Sequence, residues 1–180
     1  DDIAQQQVAA LDAEGVITEG INHISGEESG QAYILVDKEG QNVIASCLGA
    51  NARLQTEHLN RPSVKLLLQE CHGIVLTDPP LEVVTELITL AKRRKIPLLW
   101  DPGILVSQGW EALQSLAKQV DILFVNEAEA TALLGTAELD MSLQHLHELG
   151  FSNHIVRKLG GQGAVLLEPA TGMIIEIPAL

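Results

Sequence analysis

Apolar and polar positions change their rhythm twice along the chain. Over residues 3–14 (IAQQQVAALDAE) apolar side chains, Val8 and Leu11 among them, fall at helical spacing and stop at Gly15. That predicts a helix with a glycine close. Residues 31–37 (QAYILVD) and 42–48 (NVIASCL) are short strand-like runs joined by Lys38-Glu39-Gly40-Gln41. A short connector containing glycine between two such runs predicts a β-hairpin. From residue 74 the texture becomes strand–helix alternation. Strands are predicted over 74–77, 96–100, 122–125, 154–158 and 164–167, with helices over 81–94, 110–118, 127–134 and 142–149. A last hairpin pairs 164–168 with 173–177 around Pro169-Ala170-Thr171-Gly172.

Short, continuously apolar strands separated by amphipathic helices imply a parallel sheet covered on both faces. The expected fold class is therefore α/β: a three-layer α/β/α core with a mostly parallel sheet and a small β-hairpin in its first third. Right-handed crossovers bring the loops after the strands to one edge, where such sheets bind ligands.

Composition then removes several function classes. Of 180 residues, 46% are hydrophobic and 19% charged, which places the chain with globular proteins. Aromatics are only 3%, so the core rests on Leu, Ile, Val and Ala. No apolar run approaches the roughly 18 residues a bilayer span needs, and no membrane partner is expected. The net charge of −13 repels a phosphate backbone, and no basic, aromatic stripe offers a stacking platform. Nucleic acid is not an expected partner. The one basic cluster, Lys92-Arg93-Arg94-Lys95, reads as the solvated C-terminal end of a helix. Cys47 and Cys71 fit no metal spacing and no disulfide framework; they read as buried, reduced thiols, in keeping with a cytoplasmic location. None of the six histidines has a partner at ligand spacing.

The polar residues worth weighing stand after the strands. They are Asp78 after 74–77, Asp101 after 96–100, Asn126 and Glu129 after 122–125, and Lys158-Leu159-Gly160-Gly161-Gln162-Gly163 after 154–157. Asn126 with Glu129 three residues on is a helix N-cap and capping box. A helix start also attracts phosphate, and a carboxylate beside it can hold Mg²⁺ through water. Asp78 and Asp101, each before proline, read first as turn formers. Lys158-x-Gly-x-x-Gly resembles a phosphate-binding turn, in which glycines let backbone N–H groups approach an anion. A tight connector between two strands accounts for it equally.

Taken in order, these segments resemble the ribokinase-like (PfkB) carbohydrate kinase family. The resemblance starts at Asp1-Asp2 before a helix and continues through Gly26-Glu27-Glu28-Ser29-Gly30-Gln31-Ala32 and Gly49-Ala50-Asn51-Ala52. It runs on through Asp78-Pro79-Pro80, Asn126-x-x-Glu129 and Lys158-x-Gly160-x-x-Gly163, covering essentially the whole chain. It implies that residues 1–180 are part of one ribokinase-like domain, incomplete in this chain at both ends, with residues 30–49 as a lid hairpin.

The resemblance implies ATP-dependent transfer of the γ-phosphoryl group to a hydroxyl of a small, ribose-like sugar. ATP and Mg²⁺ are the implied cofactors, and a monovalent cation is a further candidate. Ala32 and Ile34 would line the lid face toward the sugar. Asp78 stands where ribokinases place a sugar-binding Glu. Asn126, Lys158, Gly160, Gly161 and Gly163 would bind nucleotide phosphates, and Glu129 the metal. No catalytic base is assigned within the chain. The family's G-A-G-D motif is expected after Leu180, so the isolated fragment is expected to be inactive. The lid hairpin is a candidate homodimer clasp. The alternatives are a catalytically silent sugar- or nucleotide-binding relative, or a kinase for a nucleoside or a phosphosugar. Residues 26–52 carry only Lys38 as a basic side chain, which favours an uncharged sugar.

Overall fold

The change of rhythm at residue 74 falls beside a structural boundary. The computed structural model describes residues 2–40, 42–134 and 143–179, and the chain divides into two units, Asp1–Cys71 and His72–Leu180. Asp1 of the resemblance, Gln41 of the hairpin connector, residue 142 of the helix expected over 142–149, and Leu180 lie outside the described residues.

In the first unit, helix α1 (Asp2–Ala13) precedes the antiparallel hairpin β1 (Gln31–Val36) and β2 (Asn42–Cys47). Two short 3-10 turns and helix α2 (Pro62–Glu70) follow. The hairpin turn is held locally: Gly40 N–H donates to the Asp37 carbonyl at 3.1 Å, and Glu39 N–H donates to the Asp37 carboxylate at 2.9 Å. Gly40 sits at φ 81, the left-handed conformation glycine adopts without penalty. The base is closed by Ala50 N–H donating to the Glu28 carbonyl at 2.8 Å and by an ion pair of Arg53 with Glu27 at 2.6 Å. Gly49 is required there, because a Cβ would collide with the backbone of Glu28 and Ser29.

Both hairpin faces are apolar and open. Ala32, Ile34 and Ile44 share one face, and Tyr33, Leu35 and Val43 share the other. Of these, Ile34 is 57% exposed and Leu35 72%. Cys47 lies on the second face and is exposed, which corrects the expectation of a buried thiol; Cys71 is half-buried, and neither is in a disulfide. Two strands have no third layer to bury a side chain against.

The second unit is a six-stranded sheet in sequential order, β3 (Ile74–Thr77), β4 (Leu98–Asp101), β5 (Ile122–Asn126), β6 (His154–Lys158), β7 (Ala164–Glu168) and β8 (Met173–Ile177). The first four strands are parallel, and the last two return antiparallel. Helices α3 (Leu81–Arg94), α4 (Trp110–Ala117), α5 (Glu127–Leu134) and α6 (Leu143–Glu148) make the crossovers. Helix α3 buries Val83, Val84, Leu87, Ile88 and Ala91, a stripe at helical period, and ends in Lys92, Arg93 and Arg94 where cations suit the dipole.

Burial alternates along β3, β4, β5 and β6. Ile74, Leu76, Leu98, Trp100, Leu123, Val125, Ile155 and Leu167 are buried, while Leu99, Ile122, Phe124 and Val156 between them are half-exposed and Val75 is 72% exposed. The registers put all the buried positions on one face. The strand order explains this: parallel strands that advance in one direction by right-handed crossovers carry their helices on one side. The α/β fold with a mostly parallel sheet is as expected from the sequence. The described crossover helices cover one of its faces, and the other is apolar, with side chains from half-buried to exposed. Among the described residues no helix is long and apolar enough to cross a membrane.

Candidate functional site

The parallel strands end on a row of polar residues. Thr77 pairs with Asp101 in register, and Asn126 pairs with Lys158. By strand alternation Asp101, Asn126 and Lys158 stand on the sheet face opposite the crossover helices, at its C-terminal edge.

Strand β5 passes directly into helix α5, and the junction is a reciprocal cap. Glu129 N–H donates to Asn126 Oδ1 at 2.8 Å, while Asn126 N–H donates to Glu129 Oε2 at 2.7 Å. Two amide groups that the helix leaves without partners are thereby satisfied. Lys158 reaches over β5 to the end of β4. Its ammonium donates to Asp101 Oδ2 at 2.6 Å and lies 3.6 Å from Glu129 Oε2. One cation thus ties the ends of β4 and β6 to the first turn of α5. Burial pulls its pKa down, but the hydrogen bond and charge of Asp101, then the charge of Glu129, outweigh burial and hold it above the ordinary 10.5. Asp101 Oδ1 and Glu129 Oε1 accept no hydrogen bond from the described residues.

Beyond Lys158 the chain makes a tight turn. Leu159 N–H donates to the Gly163 carbonyl at 2.8 Å, and Gly163 N–H to the Gly160 carbonyl at 3.0 Å. The three glycines differ in their reasons. Gly163, at φ 96, leaves no room for a Cβ against Ile177 and Pro178. Gly160, at φ 57, needs its conformation but faces open space. Gly161 needs neither, since its φ is ordinary and a Cβ would meet nothing.

Asp78 has a local task. It is exposed, sits at φ 52, and its Oδ1 accepts the Ile104 N–H at 2.7 Å. Gly103 lies so close to this carboxylate that a Cβ would strike it. The loops after β3 and β4 are stapled together, as a turn former would do. Asp78 is not part of the Lys158 cluster by any described bond.

The second unit therefore brings together Asn126, Glu129 and Lys158, with the glycine turn adjoining. Ala32 and Ile34 belong to the first unit. Asp101 carries a larger share of the cluster than its reading as a turn former before proline suggests. The signal for it was its strand-end position, equivalent to that of Lys158 two strands away.

The donor set suits a hard divalent cation. Mg²⁺ takes oxygen ligands and is commonly held by one or two carboxylates plus substrate phosphates, not by an all-protein cage. Asp101 and Glu129 supply two such carboxylates, and the described residues hold no cluster of three metal-ligating side chains.

Known proteins resemble this chain in sequence and in fold. The sequence profile described as "pfkB family carbohydrate kinase" matches residues 1–179. A bifunctional ribokinase/ribose-5-phosphate isomerase A of Fructilactobacillus sanfranciscensis is 26% identical over 174 residues, covering 94% of this chain and 31% of that protein. The ribokinase of Haemophilus influenzae is 25% identical over 181 residues, covering 98% of this chain and 57% of that one. The solved structure of an adenosine kinase from Anopheles gambiae superposes with a TM-score of 0.83 at 19% identity, over 100% of this chain and 58% of that chain. The chain spans from about a third to just over half the length of these curated relatives.

Proposed function

Since the chain belongs to the pfkB family of carbohydrate kinases, we propose that its protein transfers the γ-phosphoryl group of ATP, with Mg²⁺, to a hydroxyl of a small uncharged sugar. The observation that carries this reading is the Asp101–Lys158–Glu129 cluster at the C-terminal sheet edge, beside a glycine turn. Phosphoryl transfer asks the protein mainly for positioning and charge stabilisation. Mg²⁺ supplies charge neutralisation when bound. Glu129 holds it, and the α5 N-terminus that Asn126 organises faces anions. Lys158 and the backbone at Gly160, Gly161 and Gly163 receive nucleotide phosphates. Gly161 supports this most pointedly, because neither its φ nor its packing calls for glycine, whereas a close-approaching anion does.

In this reading the open apolar faces of the hairpin have two tasks. Ala32 and Ile34 close over the sugar, and Tyr33, Leu35 and Val43 meet a second copy of the hairpin. Exposure on both faces supports two covers, since an isolated two-stranded sheet is marginal in water. Asp78, with Oδ1 engaged by Ile104, offers the sugar its second oxygen. None of these residues is proposed as the proton acceptor. The proposed setting is the cytoplasm.

Relatives named ribokinase support a pentose-like acceptor, and the fold shared with adenosine kinase keeps a nucleoside as runner-up. The presence of Lys38 as the one basic residue between 26 and 52 favours an uncharged acceptor over a phosphosugar. The test is ADP release by the intact protein with pentoses, hexoses and nucleosides. Release that depends on one sugar supports the reading. Binding of Mg-ATP without release on any acceptor points instead to a silent, binding-only relative.

A further inference from the structure

Lys158 occupies the middle of the cluster, not its rim. Its side chain leaves β6, crosses β5 and places a full positive charge between the carboxylates of Asp101 and Glu129, at 2.6 and 3.6 Å. Each carboxylate spends one oxygen facing this charge, and the other accepts no hydrogen bond from the described residues. A divalent cation bound through those remaining oxygens would sit within a few ångström of the ammonium. Like charges at that separation repel, the more so at a partly buried site where screening is weak.

The ammonium is also able to leave. The Lys158 side chain is 39% exposed, and lysine is a flexible stem carrying a compact point charge with no fixed fork to lose. It stands directly before the turn that contains Gly160 and Gly161. With Lys158 in place the three side chains sum to one negative charge; a divalent cation added to the trio makes it net positive, and departure of the ammonium restores neutrality.

We propose that Lys158 is an exchangeable counter-ion, which holds Asp101 and Glu129 together in the metal-free chain and is displaced from them by an incoming divalent cation. The displaced ammonium is then available to an anion at the glycine turn, so cation binding and phosphate binding reinforce one another. Lys158 acts here as a positioning residue, and the inference rests on the phosphotransfer reading only for the presence of a divalent cation.

The test needs neither nucleotide nor sugar, so its outcome is separate from whether the protein phosphorylates anything. Mn²⁺ is titrated into the wild-type chain, Lys158→Gln and Lys158→Arg, with binding followed by electron paramagnetic resonance. Lys158→Gln is expected to bind at least about tenfold more tightly than wild type, because one unit charge has gone from beside the pair. Lys158→Arg, which keeps the charge, is expected to stay near wild type. The gain is expected to disappear when Glu129→Gln is added to Lys158→Gln. Equal or weaker binding by Lys158→Gln, equal gains in the Gln and Arg variants, or a gain that survives loss of Glu129 each overturns the proposal. A measurement on wild type alone covers a variant that fails to fold. Acylation of the Lys158 amine, read by mass spectrometry against Lys92 as internal reference, is expected to speed up several-fold on adding Mg²⁺. An unchanged ratio contradicts displacement.

Discussion

Asn126 and Glu129 cap each other across the start of helix α5, with amide-to-side-chain bonds of 2.7 and 2.8 Å in opposite directions. The same carboxylate oxygen that takes the Asn126 amide also faces Lys158. Structure and proposed chemistry therefore share one side chain, and a choice of substitution separates them. Glu129→Ala removes the cap and is expected to cost about 0.5–2 kcal/mol. Glu129→Gln keeps an acceptor for the Asn126 amide and is expected to cost clearly less. Urea unfolding of both variants checks this; equal losses would mean that the cap contributes nothing.

The glycine turn gives a sharper separation. Gly163→Ala forces a Cβ into Ile177 and Pro178 at a left-handed φ, and is expected to destabilise by more than about 1 kcal/mol. Gly161→Ala puts its methyl group into open space at an ordinary φ. It is expected to leave the melting temperature unchanged while weakening ATP binding. Thermal melts and equilibrium ATP binding on the pair of variants decide it. Loss of stability at Gly161 with intact nucleotide affinity contradicts the assignment of that position to the phosphates.

Lys158 gives the second unit an alkaline dependence. Its pKa is raised in the folded chain, so the stability it contributes is fully present below its unfolded value and is lost as pH rises through the folded value. The side chain is more than a third exposed, so solvent screening keeps the effect modest. The measurement is the difference in urea midpoint between wild type and Lys158→Met from about pH 8 to above pH 11, beyond the usual lysine pKa of about 10.4. The difference is expected to shrink across the alkaline end. A difference that grows there has the wrong sign for this account.

The one-sided core predicts unequal costs for neighbouring strands. Leu123 is 2% exposed beneath the helices, and Leu123→Ala is expected to cost about 2–5 kcal/mol. Val75 is 72% exposed on the opposite face, and Val75→Thr is expected to stay within about 0.5 kcal/mol. Chemical denaturation checks both; comparable losses would mean that this face is covered in solution.

Much of this architecture was legible in the residue pattern. The bounds of α3, α5 and the hairpin of β7 with β8 follow from period and punctuation, because proline, glycine and the N-cap act locally. Helix α2 was missed. Its three leucines, Leu66, Leu67 and Leu68, are consecutive, a short apolar run that shows no helical period, and the one start signal was Pro62 at its first turn. The α/β class followed from short apolar strands alternating with amphipathic helices. A continuous run reports that both faces are apolar, not which element of the chain covers each.

The site was half legible for a related reason. A capping box is a three-residue spacing and can be read directly, so Asn126 and Glu129 were found. The bond from Lys158 to Asp101 joins residues 57 positions apart, and it depends on β4 and β6 flanking β5. Only the strand order reveals it. Cys47 was misjudged because a hairpin of two strands buries neither of its faces.

The most direct test of the central claim is calorimetric titration of ATP, in the presence of Mg²⁺, into wild type and Glu129→Gln. The account predicts saturable binding to wild type and at least about tenfold weaker binding to the variant, since a hard cation loses a charged oxygen ligand, with little change in melting temperature. Equal affinities for the two proteins would contradict it.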